Sequence, residues 1–530
     1  MPTITTITAM NRRVFLHASA SAFVIAATGR LAAQTIQHDP FRLGVASGSP
    51  SRDGFVLWTR LLAAPGGEPL PDAPLQVRWE LAVDAEFRRI VQSGSTLARP
   101  AAAHCVHVEV AGLTPLPEQV PHYWYRFRVA DAISATGRTR ALPATGSRAS
   151  LRLALASCQN YEHGYFSAYR HMAAEPLDCV LFVGDYIYEY GINPSRVRQH
   201  NSGTCTTLDE YRARYALYKS DPDLQAAHAA FPWLVTWDDH EVENDYANDR
   251  ASSSRGARFL ARRAAAYQAY WEHLPLREAQ RPRGPNAQLY RRYAWGQTAN
   301  LHMLDARQHR DYQVCTPPDQ GGSRTLREHE CPERHDKRLT LLGRQQEAWL
   351  NQGLHASRAS FEIVGQASIM AQMRTPVTRP SEAQLAQPAV ADRFWNDSWD
   401  GYPAARARVL GAWGEKKNVI SLGGDVHATY VSDLTADFDN PAARILATEF
   451  VGTSISSPSW PQAVTERVLR HNPHTKFGKS DLRGYTVLEI DQARVMAHCR
   501  VIDNARLRET TVTTAASFAV EAGRPGAQAA

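Results

Sequence analysis

Four short strand-like runs in this chain each stop on side chains that bind metal ions. Leu151-Arg-Leu-Ala-Leu-Ala156 runs into Ser157-Cys158, and Cys179-Val-Leu-Phe-Val183 into Gly184-Asp185 with Tyr188 three residues on. Trp233-Leu-Val-Thr-Trp237 ends in Asp238-Asp-His-Glu241, and Asn418-Val-Ile-Ser-Leu422 in Gly423-Gly-Asp-Val-His427. Runs this apolar on both alternating faces belong to a sheet covered on two sides, as in layered α/β folds. In such folds ligands collect outside the carboxyl ends of the strands. Taken singly, Gly-Asp is a turn and a Cys after a strand is a small buried hydrophobe. Repetition changes the reading. Were the four strands parallel neighbours, Cys158, Asp185, Tyr188, Asp238 or Asp239, His240, Asp425 and His427 would meet at one edge. A thiolate, a phenolate, carboxylates and an imidazole repel one another there unless cations are present.

The donor types narrow the cations. Phenolate with thiolate, carboxylate and imidazole suits ferric iron, and the remaining carboxylates suit calcium or manganese. Two such ions side by side form the arrangement used for in-line displacement at phosphorus.

Flanking sequence frames this core. Phe41 to about Pro143 alternates in period 2 through Gly54–Arg60, Leu75–Val83, His104–Val110 and Tyr123–Val129, the pattern of an immunoglobulin- or fibronectin-like β-sandwich. A linker at Leu142–Arg148 precedes alternating strands and helices, the latter expected near 165–174, 211–218, 257–272 and 342–352. The expected division is a leader over 1–33, a sandwich over 36–145, a catalytic unit over 149–505 and an extension over 506–530, with the tail from Gly523 disordered. Asn11-Arg-Arg-Val-Phe-Leu16, a modest apolar run and Leu31-Ala-Ala33 have the layout of a twin-arginine export signal, which predicts a periplasmic or secreted protein. No run has the length of a membrane span. The net charge of +6, half of it in the leader, gives no basis for a nucleic-acid partner. The seven cysteines leave at least one without an intramolecular partner; Cys315 and Cys331 flank a loop that a disulfide could close.

Gly184-Asp-x-x-Tyr188, Asp239-His-Glu241 and Gly424-Asp-x-His427 resemble a variant of the calcineurin-like metallophosphoesterase pattern. Tyr211-Arg-Ala-Arg-Tyr215, Thr236–Asn244, Arg262–Tyr270, Asp400–Ala405 and Glu449–Ser454 narrow the resemblance to the PhoD-type alkaline phosphatase family, along almost the whole chain. The resemblance implies a four-layer αββα fold behind the N-terminal all-β domain. It implies iron on Cys158, Asp185, Tyr188 and His427, with Asp185 bridging to calcium held by Asp239 and Asp425. Asp238 and Asn244 are weaker candidates for a second calcium. His240 would stabilise the transition state or protonate the leaving group, and Arg214 would clamp phosphate oxygens, although Ala213 stands where the family often has Asn. Phosphate esters would be cleaved by a hydroxide bridging the two cations. Phospholipase D action on phospholipid headgroups is the neighbouring alternative, and a non-catalytic calcium-binding surface protein the alternative of another class.

Overall fold

The computed structural model describes residues 38–114, 116, 122–317, 319–375, 392–416 and 418–530. The expected leader over 1–33 lies outside them. Among the described residues no helix is long and apolar enough to cross a membrane.

The four site-bearing strands are β1 (Leu151–Ala156), β2 (Cys179–Val183), β3 (Pro232–Thr236) and β4 (Val419–Gly423). β1, β2 and β3 are parallel neighbours in a ten-stranded sheet. β4 lies in a second, seven-stranded sheet between Phe361–Gly365 and Ile445–Val451, parallel to both. The expectation that all four strands are neighbours is therefore corrected: the carboxyl ends of two facing sheets share one rim.

Alternation along the strands explains the layering. Leu153, Leu155, Leu181, Val183 and Leu234 pack inward against Leu301, Ile363, Ile420, Leu422 and Phe450 of the other sheet. Ala154, Val180, Phe182, Trp233 and Val235 point outward against aromatic side chains such as Tyr169, Tyr211, Tyr215 and Tyr267. Those rings come from Ser167–Ala173, from α1 (Leu208–Lys219) and from Gly256–His273. Arg344–Ala356 and Pro403–Trp413 cover the far face of the second sheet through Leu350, Leu354, Val409 and Leu410. Four layers result, helix, sheet, sheet, helix. α1 begins with a capping box, in which the Thr207 hydroxyl accepts from Glu210 N and the Glu210 carboxylate accepts from Thr207 N.

The N-terminal strands form a sandwich whose halves differ in attachment. Leu75–Ala82, Ile90–Ala98 and Tyr123–Val129 belong to a separate five-stranded sheet. Val45–Ser51, Gly54–Arg60 and Cys105–Val110 instead extend the ten-stranded sheet, through parallel pairing of Ser47 with Pro232 and Gly48 with Trp233. At the other end of that sheet, Arg524–Ala529 pairs with Val512–Glu521. The tail from Gly523 is thus ordered, against expectation. Its backbone amides find acceptors in the neighbouring sheet, Gly526 N on Thr448 Oγ1 at 3.0 Å and Ala527 N on Asp433 Oδ1 at 3.1 Å. Cys315 and Cys331 are bridged.

Lys219, at the end of α1, is 1 % exposed and forms no ion pair among the described residues; its Nζ sits 4.1 Å from the Trp58 ring centre. Burial lowers its pKa from 10.5 to about 7. Between these values the unfolded chain holds a proton that the folded chain has lost, so this group makes stability rise with pH across that window. Lys219→Met is expected to raise the thermal midpoint near pH 6 by on the order of 2 °C or more, partly offset by the lost cation–π contact, with the gain vanishing towards pH 10. Calorimetry across that range checks it.

Candidate metal centre

Two glycines allow the strand ends to close on one another. Gly184 has φ +109°, and a Cβ there would stand 2.5 Å from Asp238 Cβ, so the turn after β2 can lie against the end of β3. A Cβ on Gly424, after β4, would stand 2.8 Å from Ser157 Oγ, which is where the two sheets touch. Glu241 braces the same turn: its carboxylate accepts from Tyr186 N at 2.7 Å, Asp238 N at 2.9 Å and Asp185 N at 3.1 Å. Cys158, Asp185, Asp425 and His427 all occupy the left-handed region, with φ of 58°, 58°, 69° and 53°. Four non-glycine residues in that conformation within one cluster mark a site whose surroundings over-determine it.

The side chains meet in three overlapping groups, Cys158–Asp185–His427, Asp185–Asp239–His240 and Asp238–Asp239–Asp425; within each, the donor atoms lie within 4.8 Å of one another. Asp185 and Asp239 are the shared members. Tyr188 Oη stands 2.9 Å from Asp185 Oδ2, 3.1 Å from His427 Nε2 and 2.7 Å from Ser457 Oγ. The His427 Nδ1–H donates to the Pro458 carbonyl at 2.8 Å, which fixes the tautomer and leaves Nε2 as the free lone pair. Burial, with Arg483 nearby, holds the His427 pKa down at about 3, so the ring is neutral and available as a ligand.

The charges do not balance without cations. Burial pushes Cys158, Asp185, Tyr188 and Asp425 well above their ordinary pKa values. Asp238 rises to about 6 despite its ion pair with Arg307. Asp239 alone is pulled below the usual carboxylate range; burial opposes this, but Arg307 and His240 outweigh it. Asp185 Oδ1, Asp238 Oδ2, Asp239 Oδ1 and Asp425 Oδ2 are buried without hydrogen-bond partners. Unpartnered anionic oxygens facing one another are costly, and this donor set fits a pair of metal ions.

His240 stands at the edge of the centre. The Glu189 carboxylate takes its Nδ1–H at 2.8 Å, and its ring centre lies 4.1 Å from that of Tyr188. Burial works against its charged form, but Asp239, Glu189 and Asp185 raise its pKa well above the ordinary value.

Of the other residues singled out in the sequence, Asp238 joins the third donor group and also pairs with Arg307, which binds Asp397 at 2.7 Å. Asn244 turns away, its Oδ1 accepting from Tyr190 Oη at 2.6 Å. The expectation for Arg214 is corrected. The residue is fully buried and its guanidinium binds the carbonyls of Tyr188, Tyr190 at 2.7 Å and Gly203 at 3.0 Å, so it braces the segment carrying Tyr188 rather than facing the donors. Glu189, Ser457 and the Pro458 carbonyl are participants that the sequence reading missed. Only Glu189, within Asp-Tyr-Ile-Tyr-Glu189, carried a local signal.

The family model described as PhoD-like phosphatase matches residues 153–499, and that described as PhoD-like phosphatase, N-terminal domain, matches 26–143. Alkaline phosphatase D of Bacillus subtilis (strain 168) is 43% identical over 508 residues, covering 93% of this chain and 83% of that protein. The solved structure described as PhoD is 41% identical, with a TM-score of 0.84 over 94% of this chain and 93% of that one. Matched in both its parts, in sequence and in three dimensions, the chain belongs to the PhoD-like phosphatase family.

Proposed function

We propose that this phosphohydrolase is an exported alkaline phosphatase and phosphodiesterase that uses iron on Cys158, Asp185, Tyr188 and His427 and calcium on Asp185, Asp239 and Asp425. The observation that carries this reading is the chain of overlapping donor groups, in which Asp185 and Asp239 each belong to two. A soft thiolate and a phenolate gather at one end and only carboxylates at the other, the division expected of two unlike ions. When bound, such ions supply Lewis acidity towards a phosphoryl oxygen and make hydroxide available near neutral pH.

The remaining work falls to the chain itself. Asp185 and Asp239 keep the two halves of the centre in register. Glu189 orients His240 and favours its charged form, so that Nε2–H can be given to the leaving oxygen as the ester bond breaks. Arg307 offsets charge on Asp238 and Asp239 without entering the centre, its Nη2 being 3.7 Å from Asp239 Oδ1. The division into a module over 36–145 and a catalytic unit over 149–505 is part of this reading. So is export through the paired arginines Arg12 and Arg13, which lie outside the described residues.

Phenolate bound to ferric iron absorbs visible light, so the protein isolated from its own host is expected to be coloured. Tyr188→Phe is expected to bleach it, and EGTA to abolish hydrolysis reversibly upon return of calcium. A colourless, fully active protein would remove iron from the site; full activity in EGTA would remove calcium. Rates on a phosphomonoester, a phosphodiester and phosphatidylcholine separate phosphatase from phospholipase action.

A further inference from the structure

Beside the metal centre lies a cavity of about 420 Å³ whose walls include His163, Arg196, Pro458, Trp460, Arg483 and Arg506. A second hollow, of about 430 Å³, shares Glu162, His163 and Arg196 with the first and reaches Tyr190. The Tyr190 ring centre is 5.1 Å from that of His240, and the Pro458 carbonyl is the one that holds His427. Together the hollows form a trough that starts at the proposed proton donor and leads to Trp460, which is 38% exposed.

The trough carries unanswered positive charge. Arg196 and Arg506 are exposed, and neither guanidinium has a hydrogen bond or an ion pair among the described residues. Arg483 differs: its guanidinium is turned into the floor, donating to the carbonyls of His427 at 2.7 Å and Ser457 at 2.6 Å. The acids along the wall are already engaged. Glu162 Oε1 accepts from Asn193 N at 2.9 Å and His200 N at 3.0 Å, Asp481 pairs with Lys479 at 3.0 Å, and Asp503 Oδ1 accepts from Asn504 N at 3.0 Å and Thr511 N at 3.1 Å. His163 has Nδ1 buried without a hydrogen-bond partner. Burial first, then the charges of Arg196, His240 and Arg506, hold its pKa down at about 4, which places this ring within the field of both arginines and of His240.

Resting on the phosphohydrolase reading above, we propose that the trough is a subsite for the part of the substrate beyond the scissile phosphate. Arg196 and Arg506 recognise a second anionic group there, phosphate or carboxylate, and Trp460 gives the intervening carbon skeleton an apolar wall. Guanidinium groups bind such anions by charge-assisted hydrogen bonds, and in a half-open trough the contribution is sensitive to salt.

The test compares butyl phosphate, butanediol bisphosphate and carboxybutyl phosphate as substrates of the full-length metal-loaded enzyme and of its Arg196→Ser/Arg506→Ser double variant. In the native enzyme at low salt, kcat/KM for the bisphosphate is expected to exceed that for butyl phosphate by about ten-fold, mainly through KM. The carboxylate substrate shows whether any anion suffices or phosphate is needed. In the double variant, and in high salt, the ratio is expected to fall towards unity. A native enzyme with no preference for either substrate that carries a second anionic group would overturn the proposal, as would a preference that survives the double substitution. Absence of turnover on all three esters would overturn the phosphohydrolase reading itself and this proposal with it.

Discussion

Asp185→Asn is expected to lower kcat/KM for phosphate esters by on the order of 10³-fold or more, and to strip the protein of both metals. Asp185 sits where two donor groups overlap, one with Cys158 and His427 and the other with Asp239 and His240. A carboxamide offers one oxygen where two are used, and turns an N–H towards whichever cation loses. The fold tolerates the change, because the turn is held by main-chain contacts that Asn leaves intact: Glu241 on the amides of Asp185 and Tyr186, and Gln159 N on the Asp185 carbonyl at 3.1 Å. The substitution also has an opposite signature in metal-free protein. Burial and the neighbouring Asp239, Asp238 and Glu241 disfavour the Asp185 carboxylate and outweigh the opposing charge of His240, so its removal relieves repulsion. The metal-free variant is therefore expected to melt above the metal-free parent, and the metal-loaded variant below the metal-loaded parent. Elemental analysis, kcat/KM and calorimetry on both forms check the pair of outcomes.

His240→Gln is expected to cost between about 10² and 10⁴-fold in kcat on alkyl phosphates. The loss should shrink for p-nitrophenyl phosphate, whose leaving group departs without a proton. Gln keeps most of the volume against the Tyr188 ring but cannot give up a proton, so metal content should hold while the dependence of rate on leaving-group pKa steepens. Glu189→Gln is expected to give a smaller loss, about 10- to 100-fold, since it weakens the orientation and charge of His240 without removing it. An equal loss on every leaving group would mean that His240 supports the metals rather than the proton transfer.

The donors were legible in the sequence because each sits at the end of an apolar strand, where local pattern alone predicts a turn at a sheet edge. Cys158, Asp185, Tyr188, Asp239, Asp425 and His427 all carry that signal, and so does the handover from period-2 strands to alternating strands and helices. What stayed hidden depends on contacts between residues distant in sequence. Nothing local reveals that β4 belongs to a different sheet from β1, β2 and β3, because either arrangement gives an apolar run that ends in Gly-Asp. The family resemblance implies that Arg214 clamps phosphate, but α1 turns it onto the carbonyls of Tyr188, Tyr190 and Gly203, which claim its donors first. Ser457 reaches Tyr188 across 269 residues. The tail misled by composition: Arg524-Pro-Gly-Ala-Gln-Ala529 is small and polar, yet it is fixed by backbone hydrogen bonds to which its side chains contribute little.

On the proposed reading, four strand ends bring a thiolate, a phenolate, carboxylates and an imidazole onto a pair of unlike cations. X-ray absorption at the iron edge, on protein taken from its own host, tests it most directly. A sulfur scatterer in the first shell, lost in Cys158→Ser while the oxygen and nitrogen shell remains, is the expected result. An iron shell without sulfur, a sulfur signal that survives the substitution, or a protein that holds no iron would contradict it.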